Sequence, residues 1–134
     1  MREVIEDDEM VYAPEALSAF IDTPNTFGFT AKVNGKIAGF AYAYALVRPD
    51  KISPMLYLHS IGLLPGYQGQ GLGTKLMEYV ISFAKEKGFS ECFVITDKGN
   101  TAACRLYEKM GGKSHYADEI VYIMEFEEQE EQDK

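Results

Sequence analysis

The stretch from Met55 to Thr74 constrains this chain more than any other. It opens as an apolar, β-prone run through Leu64 and breaks at Pro65 and Gly66. It then becomes glycine-rich at Gly69, Gly71 and Gly73 before an amphipathic helix begins. A strand, a loop without bulky side chains and a helix start make the layout of a phosphate site. The loop keeps nothing between backbone and ligand, and the helix start offers unpaired N–H groups with a partial positive charge. Spacing removes two versions of such a site. A nucleoside-triphosphate loop needs Lys and then Ser or Thr directly after its last glycine, whereas Gly73 is followed by Thr74 and Lys75. A dinucleotide fingerprint needs G-x-G-x-x-G, whereas Gly69, Gly71 and Gly73 give G-x-G-x-G. A glycine-rich turn that binds nothing remains the plain alternative.

A second cluster lies downstream, after another strand-like run: Asn100-x-x-Ala103-x-x-Leu106-Tyr107-x-x-x-Gly111. With Gln68-x-x-Gly71-x-Gly73 it resembles the two signatures of the GNAT superfamily of N-acetyltransferases, in the same order and the same structural contexts. The resemblance covers roughly residues 10 to 126. Within the superfamily the chain is similar to the aminoglycoside 3-N-acetyltransferase-like branch through Asp22 to Phe27, Gly39 to Tyr42 and Arg48 to Asp50. The fold this implies is an α/β (α+β) acyl-CoA N-acyltransferase fold, a mixed twisted sheet flanked by helices.

Composition fits one such domain over residues 1–126, followed by an acidic tail at 127–134: the chain has 134 residues and 46% apolar content. The net charge of −8 sits at the ends, because residues 10–126 carry equal numbers of acids and bases. A neutral body argues against nucleic-acid binding, which needs a basic footprint. No apolar run approaches the ~20 residues of a membrane span, and the acidic start is unlike a signal peptide. Cys92 and Cys104 form no CxxC and have no nearby His, so reduced thiols in a cytoplasmic protein without metal are expected.

In chain order, residues 14–21 predict a short helix, with Pro14 in its first turn and Leu17, Phe20 and Ile21 on one side. Residues 26–33 and 36–47 predict a hairpin around Asn34 and Gly35, the strongest two-residue turn signal. Its second strand alternates Phe40, Tyr42, Tyr44 and Leu46 with Ala41, Ala43, Ala45 and Val47, so something close-packed should lie over the alanines. After the 55–64 strand, Leu72, Leu76, Val80 and Phe83 repeat at helical spacing. Residues 91–96 predict a strand, Asn100 an N-cap, and 113–117 with 120–126 a final strand pair around Asp118 and Glu119. The family opens with a further strand, for which residues 1–9 look too short. Its absence would leave a sheet edge either uncovered or paired with another chain, as in a homodimer.

The resemblance also assigns roles. Acetyl-CoA would lie in a wedge between strands 55–64 and 91–96, its pantetheine arm along Ile61, Gly62 and Leu63 like an added strand. The pyrophosphate would meet the backbone of Gln68, Gly69, Gln70, Gly71, Leu72, Gly73 and Thr74, with Gly71 and Gly73 bare so that it can approach. Asn100, Ala103 and Tyr107 would line the arm, and Tyr107 would protonate the leaving thiolate. The acceptor would be a primary amine, of an aminoglycoside or other polyamine, or else of a peptide; a non-catalytic acyl-CoA-binding module is the remaining alternative. Deprotonating an alkyl ammonium of pKa near ~10.4 costs about 4–5 kcal/mol at pH 7, so a base helps. Ser60 stands where the branch carries a carboxylate, and serine is no unaided base. His59 is its neighbour, but adjacent strand residues face opposite ways unless a bulge intervenes. Asp118, Glu119 or a water chain are the substitutes.

Overall fold

A computed structural model describes residues 14–115 and 118–127. Helix α1, Pro14–Asp22, ends because two threonines take over its last carbonyls. Thr23 Oγ1 donates to Ala19 O at 2.6 Å, and Thr26 Oγ1 donates to Phe20 O at 2.6 Å. Strand β1 (Thr26–Val33) then turns through Asn34 and Gly35 into β2 (Lys36–Leu46). Both turn residues have positive φ, 53° and 81°, as a two-residue hairpin of the right twist requires.

Strand β3 (Met55–Leu63) runs antiparallel to β2, and β4 (Glu91–Phe93) runs parallel to β3 in a four-stranded mixed sheet of order β1-β2-β3-β4. The parallel step needs a crossover, which helix α2 (Leu72–Glu86) supplies. Helix α3, Thr101–Lys109, follows β4. The Ser90 backbone N–H donates to Pro54 O at 2.9 Å and ties the start of β4 to the start of β3.

The two faces of β2 are used as their side chains dictate. Ala41 and Ala43 are fully buried beneath Leu76, Met77, Val80 and Ala84 of α2, together with Leu56 and Leu58 of β3. Leu106, Tyr107 and Met110 of α3 pack against the same cluster. On the opposite face Phe40 packs with Leu17 of α1. The short alanines therefore let α2 approach the sheet. Ala43→Leu should overpack that contact and cost about 1–3 kcal/mol, read as a lower urea midpoint at unchanged slope. An unchanged midpoint would mean that α2 does not bear on the alanines.

Two expectations meet a different outcome, and a third lies outside the described residues. The strand foreseen at 91–96 stops at Phe93, where its ladder with β3 stops. Among the described residues the final strand pair is not seen: residues 112–115 and 118–127 carry no ladder, Ile120 to Met124 and Phe126 are 68–85% exposed, and positions 116 and 117 of the first foreseen strand lie outside the described residues. Their alternation suits a strand, but a strand exists only through a partner, and β4 ends before it could provide one. The question of a first strand falls on residues outside those described. Beside β1 a groove of about 770 Å³ runs between α1 and α2, lined by Phe27, Phe29, Tyr79 and Phe83 among others. No helix among the described residues is long and apolar enough to cross a membrane.

Candidate active site

The glycine loop starts where β3 ends. Tyr67 N–H donates to Leu64 O at 3.1 Å across Pro65 and Gly66, the latter at φ 93°. Pro at the second and a left-handed Gly at the third position make a type II turn. Both glutamines hold the loop itself: Gln68 Nε2 donates to Leu63 O at 3.3 Å and Gln70 Nε2 to Gly66 O at 3.0 Å.

Gly71 is the N-cap of α2, at φ 81° and without a side-chain cap bond. No acidic residue stands in the first turn. The N–H groups of Leu72, Gly73 and Thr74 precede the first helical bond, Lys75 N–H to Gly71 O at 3.2 Å, so they are the helix's outward-facing donors. A Cβ added at Gly69 or Gly71 would meet nothing within 4 Å. Gly73 differs from its expected role. Its Cβ would point inward, 3.9 Å from Leu63 Cδ1 and 4.0 Å from Leu106 Cδ2, ordinary contact with protein rather than ligand. The bare face of this cradle is at Gly69 and Gly71, which suits an anion that must touch backbone.

Next to the cradle the sheet opens. The β3–β4 ladder ends at Tyr57 and Phe93, whose rings stack at 4.9 Å and 14°. Beyond that pair, Ile61, Gly62 and Leu63 bond to β2 on one side, while Val94 to Thr96 form no strand on the other. An extended ligand arm could pair with that edge of β3 as a strand would.

Helix α3 packs Leu106, Tyr107 and Met110 against the cluster under α2, which also takes in Ile61 and Val94. Asn100 Oδ1 accepts from Ala103 N–H at 3.1 Å, so these two signature residues serve each other as an N-cap. Tyr107 is half-buried, and its phenol is pushed above the usual tyrosine value by burial first and by Cys104 and Cys92 second. It therefore stays protonated across the neutral range, as an acid must before it gives up its proton. Cys92 is raised to about 11, by burial first and then by Glu91. A thiol so raised is a poor nucleophile at neutral pH.

The sequence could not foresee what happens at His59. Pairing with β2 shifts register between Tyr42 and Ala43: Tyr42 is opposite Ser60, but Ala43 is opposite Leu58. One extra residue, His59, sits in the bulge. Leu58 and Ile61 lie on the α2 face, so His59 and Ser60 both come to the α1 face. There the exposed His59 stacks on Tyr42 at 5.1 Å and 21°. Asp118 and Glu119 stay on an exposed segment without a ladder. The rings around His59 were also missed, although the large residues at Tyr42 and Tyr44 signalled them.

Comparison with known proteins places this geometry. Residues 1–112 match the model of the acetyltransferase (GNAT) family. The N-alpha-acetyltransferase RimI of Mycobacterium tuberculosis is 32% identical over 101 residues, 75% of this chain and 60% of that protein. The ribosomal protein bS18-alanine N-acetyltransferase of Escherichia coli is 34% identical over 83 residues, 62% of this chain and 52% of that protein. The chain thus spans little more than half the length of either. Among solved structures, the aminoglycoside acetyltransferase meta-AAC0020 from an uncultured soil sample, in complex with sisomicin, superimposes with a TM-score of 0.74 at 26% identity, covering 90% of this chain and 78% of that one. An uncapped glycine cradle, a sheet that parts beside it and a matching sequence over most of the length agree: the chain belongs to the GNAT family of acetyltransferases.

Proposed function

We propose that the chain moves an acetyl group from acetyl-CoA to a primary amine by direct attack. The observation that carries this reading is the bare, uncapped start of α2 at Gly71 beside the parting of β3 from β4. Pyrophosphate is held by N–H groups between Gln68 and Thr74, and the pantetheine arm runs along Ile61 to Leu63. Asn100 and Ala103 fix the α3 start against it.

His59, brought to the α1 face by the bulge, takes one proton from the acceptor ammonium. Ser60 beside it lacks the basicity. The free amine's lone pair forms a bond to the acetyl carbon, and the carbon–sulfur bond breaks with its electron pair on sulfur. Tyr107 protonates that sulfur and is reprotonated from solvent, while the new amide nitrogen sheds its second proton. The setting is cytoplasmic, with both cysteines reduced.

The acceptor is a small molecule carrying a primary amine, and the likeness to meta-AAC0020 makes an aminoglycoside or other polyamine one candidate. A protein N-terminal amine is the second reading, favoured by the likeness to RimI. The test is CoA thiol release across a panel of aminoglycosides, simple amines and N-terminal peptides. Release with a small amine supports the first reading and release with peptides alone the second. Tight acetyl-CoA binding with no release from any amine would make the chain an acyl-CoA-binding module.

His59→Gln should lower kcat/KM at pH 7 by roughly 10²-fold, the lower end for one general base. The loss should narrow by pH 9, because the free-amine fraction of an acceptor with pKa near ~10.4 rises about tenfold per pH unit. A loss of equal size at both pH values would make His59 a packing residue.

A further inference from the structure

We infer that segment 120–126 of one chain lies as an added strand along the outer edge of β4 in a second copy, in a reciprocal pair. This concerns the sheet and not the reaction, so it stands apart from the reading above. Ile120, Val121, Tyr122, Ile123 and Met124 form an unbroken apolar run, and Phe126 follows one residue later; no Gly or Pro interrupts them. In a strand, Ile120, Tyr122, Met124 and Phe126 would line one face and Val121 and Ile123 the other. Both faces then have apolar area to bury, the pattern of a strand inside a sheet. In the single chain all six residues are exposed and carry no ladder. A contiguous apolar surface of this kind marks an interaction site.

The receiving edge is equally bare. β4 ends the order β1-β2-β3-β4, with no strand beyond it among the described residues. Past Phe93 the β-branched run Val94, Ile95 and Thr96 forms no strand, and Ile95 is 59% exposed. This edge too is apolar on both faces: Cys92 and Val94 pack on the cluster beneath α2, while Phe93 stacks on Tyr57. Each chain therefore has one strand-forming arm and one sheet edge without a ladder. A two-fold pair of identical chains covers both at once, whereas any other partner would have to bring an arm and an edge of its own. The area suffices. Tyr122 and Phe126 bring about 150–250 Å² each and the four aliphatic residues roughly 60–120 Å² each, so two arms with the edges they cover reach the ~1,600 Å² of a standard interface. The pairing also bears on the opening beside the glycine loop. A strand on the outer edge gives Val94 to Thr96 a ladder, so the second copy completes the side of the opening that faces β3.

The test is sedimentation equilibrium on the full chain, joined to NMR on a mixed dimer of ¹⁵N-labelled and ¹³C-labelled chains. The unaltered chain should be a dimer. Ile123→Lys should raise its dissociation constant at least roughly 100-fold, because the pairing would bury an ammonium without a partner. Ile123 is exposed in the single chain, so the far-UV circular dichroism of each protomer should be kept. Tyr122→Lys repeats the comparison from the other face of the arm. Isotope-filtered spectra of the unaltered dimer should show contacts from side chains of 120–126 in one chain to amides of Cys92 to Thr96 in the other. In hydrogen exchange the Ile95 and Thr96 amides should be protected in the dimer and lose that protection in Ile123→Lys. A monomer at the concentrations used for NMR, a dimer that both variants leave intact, or contacts confined to one chain would overturn the inference. Should neither variant fold, the filtered contacts need no substitution and decide it alone.

Discussion

Tyr107→Phe is expected to lower kcat by roughly 10²–10⁴, about 3–5 kcal/mol of transition-state stabilisation, while acetyl-CoA affinity and folding stability change little. The substitution keeps the ring that packs with Leu106 and Met110 against the α2 cluster and removes only the hydroxyl. Burial, with Cys104 and Cys92 beside it, holds that hydroxyl protonated above the ordinary tyrosine value. The proton is therefore present throughout pH 6–9, and no acid-side or base-side loss in that window should trace to Tyr107. The thiolate leaving group needs the proton most when its own pKa is high. An acyl donor with a more acidic thiol should accordingly show a smaller loss in the Phe variant. Steady-state kinetics with both donors test this. Wild-type kcat in the variant across pH 6–9 would make Tyr107 a core residue only.

Gly71→Val should weaken acetyl-CoA binding by at least roughly 100-fold, the effect of losing one or two charge-assisted N–H bonds at about 1.5–3 kcal/mol each. The residue is at φ 81° and caps α2, and an added Cβ would meet nothing within 4 Å. Two effects then coincide. A β-branched side chain strains the left-handed backbone, and its bulk stands where phosphate must touch the cradle. Gly71→Asn separates them, because Asn tolerates the left-handed region yet still carries a Cβ. Calorimetry should find affinity lost in both variants and thermal stability lowered mainly in Val. Gly73→Ala should be far milder, since its Cβ would meet only Leu63 and Leu106 at ordinary contact distance. Unchanged affinity in Gly71→Asn would place the ligand elsewhere.

Much of this was legible in the residues because the signals were local. Asn34 and Gly35 specify a turn by their own backbone preferences. Alanines alternating with large rings on β2 announce a close-packed helix on one face, and α2 lies there. Asn100 caps α3 with the side chain a cap needs. What stayed hidden depends on partners distant in sequence. A bulge is a property of register between two strands, and nothing in His59 or Ser60 records that Tyr42 will pair with one and Ala43 with Leu58. The length of β4 is set by where β3 leaves it, at Phe93. Ile120 to Phe126 have the composition of a strand, but composition does not supply the partner. The inward aim of the missing Cβ at Gly73 follows from its place inside the first turn of α2, whereas Gly71 stands just outside it.

The central claim is that the cofactor's phosphates lie on the start of α2 and its arm on the free edge of β3. The measurement that tests it most directly is a titration of the ¹⁵N-labelled chain with CoA, followed by amide NMR. The account requires the largest shifts at Gly69 to Thr74, with a second set at Ile61 to Leu63 and little change along β1. Shifts concentrated at Phe27 to Lys32, beside the groove between α1 and α2, with the glycine loop unmoved, would contradict it.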